Sequence, residues 1–214
     1  MSREVDSVIF DVGGVLARPG RHSDFTSRFP GADPDVVARI MLGDYGADDD
    51  HPWHRLERGE ISFDEVRRLN KIALENAGIV MPPPPPEGSR EAFSFELNPP
   101  VVELVHELRT AGLRLGVLTN NIREFRPMWR SMLDFDDLFD DVVDSHEVGL
   151  RKPNPAIYRL ALERLGAQAE RTVFLDDVTS NVEAAISVGM RAVVVDVDPA
   201  EAVATVRRWA GIGG

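Results

Sequence analysis

The chain of 214 residues carries 24 basic and 36 acidic residues, and its formal net charge of −12 disfavours nucleic acid or an anionic membrane surface as the main partner. It has no cysteine, which excludes disulfides, thiolate metal sites and a cysteine nucleophile. Its length suits one sizeable α/β domain, or one domain that carries a smaller insert. Because no apolar run approaches the roughly 18 residues of a membrane span, we expect a soluble cytoplasmic protein, either a monomer or a homodimer.

The first predicted element is a strand over Ser7 to Phe10, a short run rich in β-branched and aromatic residues. It ends at Asp11, and Gly13 and Gly14 follow, a pattern that indicates a tight turn. In parallel α/β sheets, ligands bind at the carboxyl ends of the strands, where the loops diverge. Asp11 is therefore the first candidate functional residue.

From residue 19 to about residue 96 the sequence predicts helices and no further strand. Asp33, followed by a proline, is typical of a helix start, and Ser62 with Glu65 matches a capping box. Five prolines at residues 82–86 predict a stiff, extended connector back to the main domain; the alternative is a proline-rich ligand for a partner domain. This region is thus a predicted helical insert.

From Asn98 onward, strand and helix patterns alternate, which predicts βα units and a parallel sheet. The further strands are predicted at residues 113–118, 141–144, 172–175 and 191–197. Together with the first strand they predict an α/β fold, a three-layer Rossmann-like parallel sheet of about five strands that carries the inserted helices.

Polar residues directly follow three of the predicted strands, and one more lies in the loop after another strand. They are Asp11, Thr119, Asn120, Asp176 and Asp177 after the first, second and fourth strands, and Lys152 in the loop after the third. In a parallel sheet these groups meet at one edge. Carboxylates that face one another repel unless a cation neutralises them, and oxygen ligands without histidine or cysteine suit Mg²⁺. A hydroxyl, backbone amides and an ammonium beside that ion would stabilise a phosphoryl group.

Four segments, in this order, resemble the four motifs of the haloacid dehalogenase-like (HAD) hydrolase superfamily. They are FDVGGVL at 10–16, LTN at 118–120, RKPNP at 151–155, and FLDD at 174–177 with Asn181. The resemblance covers the whole main domain, and the helical insert looks like the small α-helical cap of that superfamily. The segment LERGEIS at 56–62 also resembles cap sequences of sugar-phosphate phosphatases. The resemblance implies a catalytic α/β core domain at 1–18 and 97–214, and a helical cap domain at 19–96 that ends in the proline-rich connector.

The resemblance further implies a Mg²⁺-dependent phosphatase that acts on a small phosphorylated metabolite under a mobile cap. Asp11 would be the nucleophile and form an aspartyl-phosphate. The ion would be held by Asp11, the carbonyl of Gly13 and Asp177, with Asp176 as a water-bridged or indirect partner. The phosphoryl group would be held by Thr119, by the Asn120 amide, by Val12 and Gly13, and by Lys152.

Two cap residues, His54 and Arg58, are expected near the substrate together with Trp53, since polar and aromatic groups on a cap set specificity. His51 and His54 lie three residues apart, a spacing that would also suit a metal site, but no third ligand is evident in the sequence. The alternative for both histidines is a packing role on the surface or within the cap.

Gly13 departs from the superfamily pattern, in which phosphatases usually carry a second aspartate two residues after the nucleophile. That aspartate protonates the leaving oxygen and later activates water, a contribution of about 10²- to 10⁴-fold in rate. Glycine here also occurs in relatives that resemble glucose-1-phosphate phosphatases. We therefore expect a substrate with a good leaving group, such as an anomeric or acyl phosphate, or an acid supplied by the cap or by water.

Two alternative functions stay open at this stage. The first is a metal-free haloacid dehalogenase-type hydrolase, which also lacks an acid two residues after its nucleophile. Asp176 and Asp177 argue against it, because carboxylates beside an anionic nucleophile need a cation. The second is a catalytically weak member of the superfamily that serves as a binding or regulatory protein.

Overall fold

The computed structural model describes residues 3–19, 25–83 and 95–212. Its strands are β1 (Ser7–Phe10), β2 (Ala17–Pro19), β3 (Phe95–Leu97), β4 (Arg114–Thr119), β5 (Asp141–Asp144), β6 (Thr172–Asp176) and β7 (Arg191–Val194). Its α-helices are α1 (Pro34–Leu42), α2 (Pro52–Glu57), α3 (Phe63–Asn76), α4 (Pro99–Thr110), α5 (Arg126–Arg130), α6 (Phe135–Leu138), α7 (Ser145–Val148), α8 (Pro155–Leu165), α9 (Thr179–Ser187) and α10 (Ala200–Ala210). Short 3₁₀ helices span Phe25–Arg28 and Ala169–Arg171.

Five strands form a parallel sheet in the order β5-β4-β1-β6-β7. β1 lies at the centre and all four of its residues are buried. Three of them are apolar, as in other buried parallel strands, and the Ser7 hydroxyl lies 2.9 Å from the hydroxyl of Thr172. β7 ends at Val194 rather than at residue 197, and Val197 is 91% exposed. The predicted α/β fold with a five-stranded parallel sheet is confirmed.

Apolar residues cover both faces of this sheet, which makes the three layers. Along β1, Val8 and Phe10 pack into a cluster with α4 and α10, whereas Ile9 packs into a second cluster with α8 and α9. Successive side chains of a strand point to opposite faces, so a strand buried on both sides is apolar throughout.

A second, two-stranded antiparallel sheet pairs β2 with β3, and Ala17 lies opposite Leu97. The prediction that residues 19–96 contain no strand was therefore wrong at both ends, and the predicted boundaries at 18/19 and 96/97 cut through this sheet. Each strand has only three residues, too few for a recognisable alternation. The N–H of Asn98, directly after β3, donates to the carbonyl of Leu16, directly before β2, at 2.9 Å, so the chain leaves and rejoins the main domain at the same place.

Residues 25–83 contain helices α1 to α3, and the predicted starts of α1 and α3 are confirmed. Asp33 accepts a hydrogen bond from the N–H of residue 35, and the Ser62 hydroxyl accepts one from the N–H of Glu65 at 3.2 Å. Three buried residues, Phe29, Val37 and Leu74, form an apolar cluster within this segment. Its treatment as a separate cap domain stays a prediction.

The helical segment also packs on the main sheet domain. Leu56 and Val66 lie in one apolar cluster with Ile122, which follows β4, and the rings of Phe63 and Phe125 are 6.5 Å apart. Of the predicted proline connector, residues 82 and 83 belong to neither a helix nor a strand, and residues 84–86 lie outside the described part of the chain.

Three further local predictions needed correction. The sequence between the strands at 113–118 and 141–144 predicts one helix near residues 123–133, but the structure has the short α5 there and α6 as a separate helix after it. The loop after the third predicted strand, which carries Lys152 and is predicted at 146–153, in fact begins with α7, whose four residues are too few to show helical periodicity. The spacing of Val182, Ala185 and Ile186 predicts one apolar helix face, but Ile186 is 54% exposed. Within the described residues, no helix is both long and apolar enough to cross a lipid bilayer.

Candidate active site

Asp11 lies directly after β1, at the carboxyl edge of the sheet. Its N–H donates to the carbonyl of Leu175 at 2.9 Å, so the ladder between β1 and β6 extends to this residue. The Asp11 side chain is nearly buried; its Oδ1 accepts from the Val12 N–H at 2.7 Å, and its Oδ2 lies 2.9 Å from Lys152 Nζ. These contacts hold the carboxylate in one orientation.

Lys152 joins Asp11 to a second carboxylate. Its Nζ lies 2.6 Å from Asp176 Oδ2, and the residue is only 1% exposed. The Asn120 side chain fixes the Lys152 backbone from both sides, since it accepts from the N–H at 2.8 Å and donates to the carbonyl at 3.0 Å. The loop after α7 is thereby fastened to the end of β4, and the ammonium is aimed at Asp11.

Asp176 and Asp177 lie in different environments. Asp176 is fully buried, and besides Lys152 it accepts from the Val178 N–H at 2.8 Å and from Asn181 Nδ2 at 3.0 Å. Both of its oxygens therefore already have protein partners. Asp177 is exposed, so its carboxylate is the more accessible of the two.

Glycine is required at position 14 for Asp177 to occupy this place. Gly14 has a φ of +71°, and a Cβ built there would lie 2.1 Å from Asp177 Oδ2. Gly13 differs, because it does not adopt a left-handed φ and a Cβ there would meet no heavy atom of the described residues within 4 Å. Position 13 therefore has room for a side chain that this sequence does not supply.

The three aspartates form an acidic cluster that could hold a metal ion. One oxygen from each of Asp11, Asp176 and Asp177 lies within 4.8 Å of the others, and Lys152 leaves the ionised cluster with a net charge of −2. Carboxylate oxygens without nitrogen or sulfur ligands fit a hard divalent cation.

The pKa shifts in the cluster report the same excess of negative charge. Burial, together with Asp176 and Asp177, raises the pKa of Asp11 to about 8 against the opposing effect of Lys152. Although Asp177 is exposed, the protein atoms around its carboxylate partly desolvate it, and this desolvation together with the neighbouring Asp176 raises its pKa to about 6. Burial tends to lower the pKa of Lys152, but the charges of Asp11 and Asp176 outweigh it and raise that pKa. A bound divalent cation would favour the ionised carboxylates.

Thr119 is the last residue of β4, 1% exposed, and lies opposite Asp144 of β5. Because β4 and β1 are neighbours, the structure brings Thr119 and Asn120 to the same sheet edge as Asp11. The carboxyl ends of β4, β1 and β6 thus meet as the parallel sheet requires.

Glu57 and Arg151 connect the helical segment to this edge, and sequence reasoning missed both. Glu57 Oε2 accepts from Arg151 Nε at 2.8 Å, across 94 residues of sequence, and both side chains are nearly completely buried. Glu57 Oε1 accepts from Trp53 Nε1 at 2.9 Å and from the Tyr45 hydroxyl at 3.1 Å. The sequence held one signal for each: Arg151 immediately precedes Lys152, and Glu57 lies in the LERGEIS segment at 56–62.

The loop between α1 and α2 also contacts the main domain. Arg151 donates to the carbonyl of Ala47, and Asn154 Nδ2 donates to Asp48 Oδ2 at 3.0 Å. A Cβ on Gly46 would lie 3.2 Å from Ser180 Oγ. The helical segment therefore covers the loop that carries Lys152.

The two polar residues expected on the cap side have different surroundings. His54 is fully buried, with its Nδ1 2.7 Å from Asp49 Oδ1. Burial, and then the charge of Arg151, lower the pKa of His54. Arg58 pairs with Asp48 at 2.5 Å and with Glu60 at 2.6 Å, so its charge is already engaged within the segment.

The fold and the site define an α/β protein whose sheet edge presents a lysine-bound aspartate beside two further carboxylates. The family model of haloacid dehalogenase-like hydrolases matches residues 5–189, and the chain belongs to this family. The predictions of the family and of a hydrolase are confirmed.

Two curated relatives and one solved structure illustrate the similarity. The chain is 32% identical to acyl-CoA dehydrogenase family member 10 of Mus musculus over 91% of its own length, but spans only 18% of that protein. It is 30% identical to a sesquiterpene phosphatase of Aspergillus oryzae over 86% of each chain. A HAD family enzyme from Bacteroides thetaiotaomicron, solved in complex with magnesium and inorganic phosphate, has a TM-score of 0.61 at 18% identity, covering 91% of this chain and 96% of that one. This last likeness shows the shared fold.

Proposed function

We propose that this chain is a Mg²⁺-dependent phosphatase that hydrolyses a small phosphorylated metabolite through a phosphorylated Asp11. The observation that carries the proposal is the position of Asp11, which is nearly buried at the carboxyl edge of the sheet with its Oδ2 2.9 Å from Lys152 Nζ. A carboxylate beside a fixed ammonium can attack a phosphorus atom while the added charge is neutralised. The phosphatase relative and the phosphate-bound structural neighbour support the same reaction class.

In the first step, an Asp11 oxygen attacks phosphorus, the bond to the ester oxygen breaks, and that oxygen leaves with a proton from its surroundings. Lys152, Thr119 and the Asn120 amide hold the phosphoryl oxygens, as do the backbone groups of Val12 and Gly13. In the second step, water attacks phosphorus, inorganic phosphate leaves, and the Asp11 carboxylate is restored.

Asp11, the carbonyl of Gly13 and Asp177 are the proposed magnesium ligands. Asp176 acts indirectly, because its oxygens are already bonded to Lys152, Val178 and Asn181. When bound, the ion neutralises the carboxylates and the phosphate that approaches them.

Gly13 bears on the choice of substrate. With no carboxylate at this position, the reaction depends on a leaving group that needs little protonation, such as an anomeric or acyl phosphate, or on water in the open space beside Gly13. His54 and Arg58 belong to the proposed substrate side of the cap, residues 19–96. Similarity to glucose-1-phosphate phosphatases, like the monomeric or homodimeric state, stays a prediction.

Phosphate release from p-nitrophenyl phosphate and a panel of sugar and acyl phosphates tests the proposal. We expect turnover with Mg²⁺, its loss with EDTA, and a drop of at least about 10³-fold in Asp11→Asn. Asp144→Asn is a matched control, since Asp144 is also a buried aspartate at the end of a strand but lies outside the cluster. Turnover that persists in EDTA or in Asp11→Asn, or no release from any substrate despite Mg²⁺ binding, would contradict the proposal.

A further inference from the structure

Two buried nitrogens beneath the helical segment have no hydrogen-bond partner among the residues that the structure describes. They are Nε2 of His54 and Nη2 of Arg151, and both residues are 0% exposed. Buried polar atoms are nearly always hydrogen-bonded, because leaving one unpaired costs about 1–3 kcal/mol. Two such atoms in one interface therefore require an explanation.

The two side chains are neighbours in this interface. Arg151 Nε donates to Glu57 at 2.8 Å, and His54 lies three residues before Glu57 on α2. Side chains three residues apart share one face of a helix, with Cβ atoms about 5–6 Å apart. The charge of Arg151 also contributes to the lowered pKa of His54, in agreement with this proximity.

The chemistry of the two nitrogens is complementary. His54 Nδ1 lies 2.7 Å from the Asp49 carboxylate, which only accepts, so Nδ1 carries the proton and Nε2 of the neutral ring is an acceptor. The Asp49 N–H also approaches Nδ1, but at 3.4 Å, and that bond would need the other tautomer. Arg151 Nη2 is a donor only. One group that both accepts and donates, such as a hydroxyl, satisfies both atoms.

The charge balance favours a neutral ligand group over an anion here. Glu57 already neutralises the guanidinium of Arg151, whose Cζ lies 5.5 Å from the centre of the Tyr45 ring. The charges of both Asp11 and Arg151 act on the Tyr45 hydroxyl, which donates to Glu57, so the Arg151 side chain lies on the Asp11 side of the helical segment.

We infer that His54 Nε2 and Arg151 Nη2 form a subsite for a hydroxyl group of the substrate. The inference rests on the proposed phosphatase function and narrows its substrate class to phosphate monoesters of hydroxylated carbon chains or rings. In the complex, the substrate hydroxyl accepts a hydrogen bond from Arg151 and donates one to His54. An alkyl phosphate that lacks the hydroxyl leaves both nitrogens unpaired, and the site discriminates against it.

Binding to the inactive Asp11→Asn variant tests the subsite without turnover. Isothermal titration calorimetry in Mg²⁺ compares glycerol 3-phosphate with propyl phosphate, which differ only in hydroxyl groups. We expect the hydroxylated ester to bind about tenfold tighter or more. Adding His54→Phe should reduce the ratio of the two dissociation constants to about twofold or less. His54→Gln, whose amide can accept and donate, should keep most of this ratio.

Further variants separate this role from a loss of folding. Arg151→Lys keeps the charge opposite Glu57 but removes Nη2, and should also lower the ratio. His106 is exposed, so the control variant His106→Gln should leave the ratio of the dissociation constants unchanged. Each variant must retain its far-ultraviolet circular dichroism and its affinity for inorganic phosphate. The inference is overturned if Asp11→Asn alone binds the two esters with nearly equal dissociation constants, or if the preference for glycerol 3-phosphate survives His54→Phe. Failure of the proposed function would appear separately, as absent p-nitrophenyl phosphate turnover by the unmodified chain.

Discussion

Replacement of Glu57 by glutamine should destabilise the protein far more than the loss of an exposed ion pair. Glu57 is 1% exposed and accepts hydrogen bonds from Arg151, Trp53 and Tyr45. In Glu57→Gln, the guanidinium of Arg151 stays buried without a counter-charge. An amide NH₂ group also replaces one of the two carboxylate oxygens that accept hydrogen bonds from Arg151, Trp53 and Tyr45. Breaking one half of a buried ion pair costs about 3–5 kcal/mol.

The assay is equilibrium unfolding in urea, followed by circular dichroism. For a chain of this size, the denaturant slope is about 2–3 kcal/mol per molar urea, so a loss of about 3–5 kcal/mol should lower the midpoint by about 1–2.5 M. Glu65→Gln is the matched control, since Glu65 pairs with Arg68 in an exposed ion pair, and it should cost less than about 1 kcal/mol.

A second variant isolates the unpaired charge as the cause. Removing both partners, as in Glu57→Gln with Arg151→Met, should recover much of the loss, because no buried charge is then left unpaired. Burial raises the pKa of Glu57 despite Arg151, so the pair itself is expected to add little net stability. Equal midpoints for Glu57→Gln and Glu65→Gln would refute the reasoning.

Three further predictions concern two glycines of the nucleophile loop and a buried aspartate. Gly13→Asp should fold normally, since its Cβ meets open space, and should raise kcat/KM for alkyl phosphates by about 10²-fold but much less for aryl phosphates. Gly14→Ala should instead lose Mg²⁺-dependent turnover, because its Cβ would collide with Asp177. Asp144→Asn keeps an acceptor for His146, whose Nδ1 lies 2.8 Å away, and should gain stability relative to the unmodified chain as the pH rises. Burial raises the pKa of Asp144 from 3.8 to about 6. The unmodified chain therefore loses about 3 kcal/mol of its unfolding free energy as the pH rises from about 4 to about 6.

The measurements for these variants are steady-state kinetics and urea unfolding. Equal gains of Gly13→Asp on alkyl and aryl phosphates would show that the added carboxyl does not protonate the leaving group. For Asp144→Asn, the gain in unfolding free energy over the unmodified chain should grow by about 1 kcal/mol between pH 5 and pH 7.5. A gain that is independent of pH would contradict the assigned pKa.

Local patterns predicted most of the main sheet and its edge. The apolar run before Asp11 could become only a buried strand, and the alternation of strands with helices implied parallel pairing. That pairing then required Asp11, Thr119 and Asp176 to meet at one edge. The two short strands β2 and β3 escaped prediction, because three residues show no period and their pairing depends on contacts far apart in sequence.

The sequence by itself determined the identity and spacing of the reactive groups and the glycine at position 13. Only the tertiary structure decided which groups face them from the helical segment. Glu57 reaches Arg151 across 94 residues, and no local pattern encodes a contact whose partners meet only when the helices fold over the sheet. The sequence already predicted His54, one of five histidines, near the substrate, but only packing buried its ring and left its Nε2 without a partner among the described residues, which gave it a specific proposed contact.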